Sequence, residues 1–254
     1  MPRISRVRSE SGSYHIMIRG NNKKNIFKYE EDKEKLIEII EKNITEDKWK
    51  LRAYCIMDNH AHLLIEENDK EVSEIMKKIN ITYAMYYNKK HKSIGHVFQD
   101  RYKSESVVDD AYLLTVMRYI HQNPIKAGII KDIKDYKWSS YNEYIGRLEN
   151  RITDTDLLEM LSKNKKEAIK EFIEFHKEIE EATYLEDKEE EKENEEKNAW
   201  VLIQDKISES GAVNKTELAE LLLKNTKLSY RKIAEMLEIN RGVVQRIGKV
   251  RKRL

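Results

Sequence analysis

The chain moves between two hydrophobic rhythms. Residues 12–20, Gly12-Ser13-Tyr14-His15-Ile16-Met17-Ile18-Arg19-Gly20, alternate between glycines and predict a strand. Over 30–43 the apolar residues Leu36, Ile37, Ile39 and Ile40 fall at helical spacing and predict an amphipathic helix. Residues 49–57 and 60–65 predict a second and third strand. Asp58-Asn59 between them has the chemistry of a hairpin turn. A second helix is predicted over 72–87, with Ile75, Met76, Ile79, Tyr83 and Tyr86 at helical spacing. A fourth strand is predicted over 101–108, and a third helix over 109–123 that Pro124 should stop.

The order β-α-β-β-α-β, followed by one more helix, is the split βαβ or ferredoxin-like pattern: an α+β fold with an antiparallel sheet. Residues 124–150, with Trp138-Ser139-Ser140-Tyr141, read as a packing tail, so a first domain is expected over 1–150. Residues 151–198 read as an acidic helical connector, with a low-complexity charged stretch at 186–197. Residues 199–254 read as an all-α domain built on a helix-turn-helix. Ser229 should cap one helix with Ile233, Ala234 and Leu237 inward, and Asn240 the next with Val243, Val244 and Ile247 inward. Arg241, Gln245 and Lys249 then face outward at a spacing that suits a major groove. Arg246, Arg251, Lys252 and Arg253 would add phosphate contacts. Helix pairs of this spacing also serve as plain protein-interaction domains.

Composition sharpens this division. Of 254 residues 37% are charged, against about 25% in an average soluble protein, yet 48 basic and 46 acidic residues leave a net charge of only +2. The charge is unevenly spread: net +4 over 1–150, −8 over 151–198 and +6 over 199–254. Two basic blocks around an acidic one suggest two nucleic-acid-facing domains on a self-repelling connector, although charge runs also serve simply as solvated helix faces. The single cysteine, Cys55, excludes an internal disulfide framework and suits a reducing cytoplasm. No apolar run approaches the roughly 20 residues of a membrane span, and no secretory signal is visible at the start. A soluble cytoplasmic protein is the expectation.

The candidate chemistry begins with His60-Ala61-His62. On a strand, residues i and i+2 share a face, so two imidazoles about 7 Å apart can converge on one metal ion; two unrelated histidines are the plainer alternative. On the third helix Tyr119 and Asn123 stand at i and i+4, on one face. Asn123 offers a carbonyl oxygen and Tyr119 a phenol, though a core tyrosine and an asparagine before proline are ordinary features. His15 reads equally as a partner of these groups, a DNA-facing residue or a structural histidine. Tyr83, Tyr86 and Tyr87 precede Lys89, Lys90 and Lys92, a mix of stacking surfaces and phosphate-binding cations, although Tyr83 and Tyr86 at helical spacing read first as core, which leaves the lysines as phosphate contacts. Cys55, with no base nearby in sequence, reads as a small buried hydrophobe.

Residues 1–146 resemble the HUH-type single-tyrosine transposases, the REP-associated tyrosine transposase branch above all. The landmarks are Tyr14-His15-Ile16-Met17-Ile18-Arg19-Gly20-Asn21, Asn59-His60-Ala61-His62-Leu63-Leu64, Gly95-His96-Val97-Phe98-Gln99-Asp100-Arg101-Tyr102-Lys103-Ser104, Arg118-Tyr119-Ile120-His121-Gln122-Asn123-Pro124 and Trp138-Ser139-Ser140-Tyr141. The resemblance implies cleavage and rejoining of single-stranded or hairpin DNA through a 5′-phosphotyrosine. Tyr119 would be the nucleophile, and His60 and His62 would hold Mg²⁺ or Mn²⁺. Where other branches place a glutamine as third ligand this chain has Asn123, so Asn123, Gln122 or water fills that role. Arg19, Asn21, Asn22, Arg101 and Lys103 would touch DNA, joined by Lys89 and Lys90. Family members act as monomers or homodimers, with the site built in one chain or shared. Two rival readings are a domesticated DNA-binding regulator that has lost the reaction and a metal-dependent hydrolase that uses water.

Overall fold

The computed structural model describes residues 9, 11–148, 151–179, 184–210 and 213–251. The chain divides into two compact units, Met1–Ala182 and Thr183–Leu254. The first holds a sheet of strands β1 (Ser13–Arg19), β2 (Lys50–Ile56), β3 (His60–Glu66) and β4 (Lys103–Ser106), in the order β2-β3-β1-β4. Every neighbouring pair is antiparallel. Helices α1 (Glu30–Asp47), α2 (Val72–His91) and α3 (Asp110–Lys126) interleave with the strands. This is the split βαβ arrangement that the hydrophobic pattern predicts.

Strand register decides which side chains meet. Opposed residues share a face, and His62 stands between Met17 of β1 and Cys55 of β2, while His60 faces Arg19. His15, Met17, Arg19, Cys55, His60 and His62 therefore line one face. Ile16, Ile18, Tyr54, Ile56, Ala61, Leu63 and Ile65 line the other and are buried. Helices α1 and α2 pack side by side. The histidine face is left to α3.

Helix α3 starts where Asp109 accepts a hydrogen bond from the Tyr112 N–H (2.7 Å), a side-chain cap. It does not stop before Pro124, as the sequence suggested, but runs on to Lys126. A proline in the last turn forfeits a single hydrogen bond, and the turn still closes because the Ala127 N–H donates to the Asn123 carbonyl at 2.9 Å.

Beyond α3 the chain seals the β2 edge. The Ile56 N–H donates to Trp138 and the Ser140 N–H to Tyr54, and α4 (Tyr141–Tyr144) follows. Buried Glu143 accepts from the Tyr54 hydroxyl (2.8 Å) and from the N–H groups of Ile152 and Thr153. Arg52 is held by Glu66, Asp154 and Asp156. These bonds, with α5 (Lys165–Phe175), carry the first unit well past residue 150, where the sequence pattern placed the start of an acidic helical connector. Charge counts cannot see which acids are paired.

In the second unit α6 (Leu185–Ser210), α7 (Lys215–Asn225), α8 (Tyr230–Met236) and α9 (Arg241–Arg251) surround a core of Ala199, Ile203, Leu218, Leu222, Ile233 and Val244. Ser229 caps α8 by accepting from the Lys232 N–H, and Asn240 accepts from the Gly242 N–H at the head of α9. Glu238 makes the turn between them with a left-handed backbone, φ 51°. No helix among the described residues is long and apolar enough to cross a membrane.

Candidate active site

Two of the histidines reach the site on β3 and a third on β1. The His60 and His62 ring centroids are 5.0 Å apart and their planes perpendicular, so the i, i+2 spacing brings them together as expected. Each has a partner at Nδ1. His60 Nδ1 lies 2.6 Å from the Asn59 side-chain oxygen, and His62 Nδ1 lies 3.0 Å from Nε2 of His15. His15, left open by the sequence, is thus buried against His62. Asn59 was missed as a site residue; its signal was an amide placed one residue before a histidine in a tight turn. The turn itself is pinned by its carbonyls, with Asp58 accepting from the Phe27 N–H and Asn59 from the Gly20 N–H, both at 2.8 Å.

Tyr119 arrives from α3 on the same face. Its ring centroid is 5.7 Å from that of His62 and 5.8 Å from that of His15, edge-on to both. Only 1% of the residue is exposed. The Lys126 ammonium stands 4.6 Å from the ring centroid, so this lysine helps cover the phenol. Asn123, one turn on from Tyr119, is buried as well. Gln122 is turned elsewhere: its amide donates to the carbonyls of His176 and Glu178 at 3.0 and 2.6 Å. The geometry therefore leaves Asn123 as the amide that shares a helix face with Tyr119.

The rotation of α3 is set by a clasp on its outer side. Arg118 donates to the Phe175 carbonyl (3.1 Å) and pairs with Glu178 (2.7 Å). His121 Nδ1 lies 2.9 Å from His176 Nε2, and His121 Nε2 lies 2.7 Å from the Ser140 hydroxyl. Because the Phe172 carbonyl can only accept, His176 Nδ1 carries a proton toward it. His121 then donates to His176 and accepts from Ser140, which itself accepts from the Tyr54 N–H. Every member of the chain is satisfied in its neutral form. Burial holds His121 well below the usual histidine range and His176 down to about 3.

The predicted DNA-contacting residues are spread over both units. Arg19 is buried on the histidine face beside His60, and Lys103 is half-buried on the same face of β4. Asn21 is half-exposed, and its N–H donates to Val97. Arg101 and Lys89 are exposed. Lys90 bonds the buried Asp32 carboxylate at 2.8 Å. In the second unit Arg241 and Lys249 are exposed on α9 and Gln245 is half-buried. Lys252 and Arg253 lie outside the described residues, as does the Arg251 side chain.

Residues 8–123 match the family described as "Transposase IS200 like". A protein of Haemophilus influenzae named as a REP-associated tyrosine transposase is 28% identical over 102 residues, which cover 35% of this chain and 57% of the relative. The chain thus spans little more than half the length of that relative. Among solved structures, a REP-associated tyrosine transposase bound to a REP hairpin aligns with a TM-score of 0.49 at 16% identity, over 62% of this chain and 96% of the other. A Deinococcus radiodurans protein described as a transposase aligns with a TM-score of 0.34 at 16% identity, over 50% of this chain and 97% of the other. The stretch similar to the IS200-like transposase family, residues 8–123, carries β1 to β4, both β3 histidines and the tyrosine of α3.

Proposed function

We propose that the first unit is the catalytic part of a DNA transposase that cuts and rejoins single-stranded DNA, presented as a free strand or on a hairpin. The observation that carries this is the meeting of a phenol and two adjacent imidazoles on one buried sheet face, all from one chain. In the step envisaged, the Tyr119 oxygen attacks the scissile phosphorus. A phosphorus–oxygen bond to the tyrosine forms, the bond to the 3′ oxygen breaks, and the phenol proton ends on the released 3′-hydroxyl. The product is a 5′-phosphotyrosine that conserves the bond for rejoining. Because the tyrosine stands beside the histidines of its own chain, the reading favours a site built within one chain.

The donor set fits a divalent ion. His60 Nδ1 and His62 Nδ1 are each engaged by a neighbour, which orients the rings in the way ligand histidines are commonly held. Among the described residues no three His, Cys, Asp or Glu side chains form a metal-binding group. His60, His62 and the Asn123 amide would hold the ion, with water or phosphate oxygen completing its shell. An oxygen-rich shell of that kind suits Mg²⁺ or Mn²⁺. When bound, the ion supplies Lewis-acid polarisation of the phosphoryl oxygen. Arg19 and Lys103, on the same face, are placed to neutralise phosphate charge. The α9 residues Arg241, Gln245 and Lys249 are assigned to duplex or hairpin contacts.

The test is a trapping assay. The protein is incubated with end-labelled strands from the gene's flanks, with Mn²⁺ or with chelator, and run on a denaturing gel. A covalent protein–DNA adduct is expected that needs the ion and disappears in Tyr119→Phe. Cleavage persisting in Tyr119→Phe would favour water as nucleophile. Tight binding with neither adduct nor cleavage would favour a regulator.

A further inference from the structure

A second aromatic cluster joins the head of α1 to the end of α2. Tyr87 and His91, one turn apart at the end of α2, have ring centroids 4.3 Å apart. His91 in turn stacks on Tyr29, at 5.8 Å with planes 17° apart. The three rings form a column whose inner end, Tyr87, is buried and whose outer member, Tyr29, is 52% exposed. Asp32, buried beneath, locks the column: it accepts from His91 Nε2 (3.0 Å), Lys90 Nζ (2.8 Å) and the Tyr86 hydroxyl (3.2 Å). Ammonium groups fringe it, with Lys28 and Lys90 about 6 Å from the Tyr29 centroid and Lys24 at 5.9 Å from that of Tyr87. Nearby Glu30 and Glu31 are engaged by Lys137 and Lys90 at 3.2 and 3.7 Å.

The segment bearing Tyr29 is seated on the catalytic hairpin. The Phe27 N–H donates to the Asp58 carbonyl (2.8 Å) and Lys33 Nζ bonds the Asp58 carboxylate (2.7 Å), one and two residues ahead of Asn59 and His60. Tyr83 belongs to the core, as its helical spacing indicated: it is fully buried and donates to the Ile26 carbonyl at 2.6 Å. Tyr29, which the sequence did not mark, keeps its ring open.

We propose that Tyr29 is a stacking platform for an unpaired DNA base, buttressed by His91 and Tyr87, with Lys24 and Lys28 contacting the flanking phosphates. The proposal rests on the reading of the first unit as a single-strand DNA enzyme and adds a place where the strand is held, on the segment bonded to Asp58. An exposed, preorganised ring within a cationic fringe is how sequence-tolerant single-strand binders hold bases. Lys90, tied to Asp32, fixes the column and is not counted as a phosphate contact.

The experiment measures binding by fluorescence anisotropy with full-length protein carrying Tyr119→Phe, so that no covalent capture intervenes. The probes are an oligothymidine strand and an abasic strand of equal length. Tyr29→Leu, which keeps apolar bulk but no aromatic face, should weaken binding to oligothymidine about tenfold, the scale of one lost base stack. It should leave the abasic strand unchanged, and Tyr29→Trp should restore binding. Equal affinity of the Leu variant and its parent for oligothymidine would overturn the proposal, as would an equal loss on both strands. The trapping assay separates the two claims. Selective loss in Tyr29→Leu with no adduct in the wild type leaves the platform standing and removes the transesterase reading. An adduct with no Tyr29 effect does the reverse.

Discussion

At the residue scale the candidate centre depends on small groups that hold larger ones. A histidine on a strand keeps rotational freedom unless its second nitrogen is engaged, and here Asn59 and His15 do that for His60 and His62. His15→Phe keeps a buried ring but removes the hydrogen bond. Mn²⁺ affinity, measured by calorimetric titration, should fall about 10- to 100-fold, with the circular dichroism spectrum unchanged. Unaltered affinity would show that His62 is oriented without His15. Tyr119 carries a different constraint. Its ring borders His15, His62 and the Lys126 side chain, and on the proposed reading that exposed lysine moves aside when a phosphate reaches the phenol. Lys126→Ala should therefore speed adduct formation at low DNA concentration, or slow it if the ammonium contributes more by attracting the strand. Rates measured at two salt concentrations distinguish these outcomes, because only an attractive role fades with screening.

At the element scale α3 is the part whose placement matters most. Its inner side presents Tyr119 and Asn123, and its outer side is bolted to residues 172–178 through Arg118, His121 and Gln122. The His121–His176 pair makes this joint sensitive to acid. Both groups are held below the ordinary histidine value of about 6.5 in the folded chain. Between pH 6.5 and about 3 the unfolded chain therefore binds protons at His176 that the folded chain refuses. Stability is fully present above pH 6.5 and falls as pH drops, with both histidines contributing to the slope. Urea unfolding at a series of pH values should show this slope, and His176→Phe should flatten it. An unchanged slope in that variant would mean that other groups govern acid unfolding. None of this was visible in the hydrophobic pattern, which assigned α3 an inward face but had no means of pairing its outer face with a segment some fifty residues on.

For the whole molecule, the chain divides into two compact units, and on the proposed reading the first does the chemistry while the second adds DNA affinity. The second unit has a net charge of only +1 over 183–254, but its +6 is gathered in 199–254, with a capped helix pair and exposed Arg241 and Lys249. Removing Thr183–Leu254 should leave adduct formation on a saturating short strand intact. It should also weaken binding to hairpin DNA and flatten the dependence of affinity on salt, since fewer phosphates are neutralised. Loss of the adduct in the truncated protein would show that the second unit belongs to the catalytic machinery.

Local periodicity was enough to place all four strands and the first three helices, to put His60 and His62 on one face, and to put Tyr119 and Asn123 on one side of a helix. Each of these is a relation within a single element, set by backbone repeat alone. Where elements meet was decided by tertiary structure. It brought Tyr119 to the histidine face, turned Gln122 toward residues 176 and 178, joined His15 to His62, and carried the helix past Pro124. It also buried Tyr83 and left Tyr29 open. The physical reason is that a repeat fixes the faces of an element, whereas the partner of each face is chosen by strand register and by packing between residues far apart in the chain.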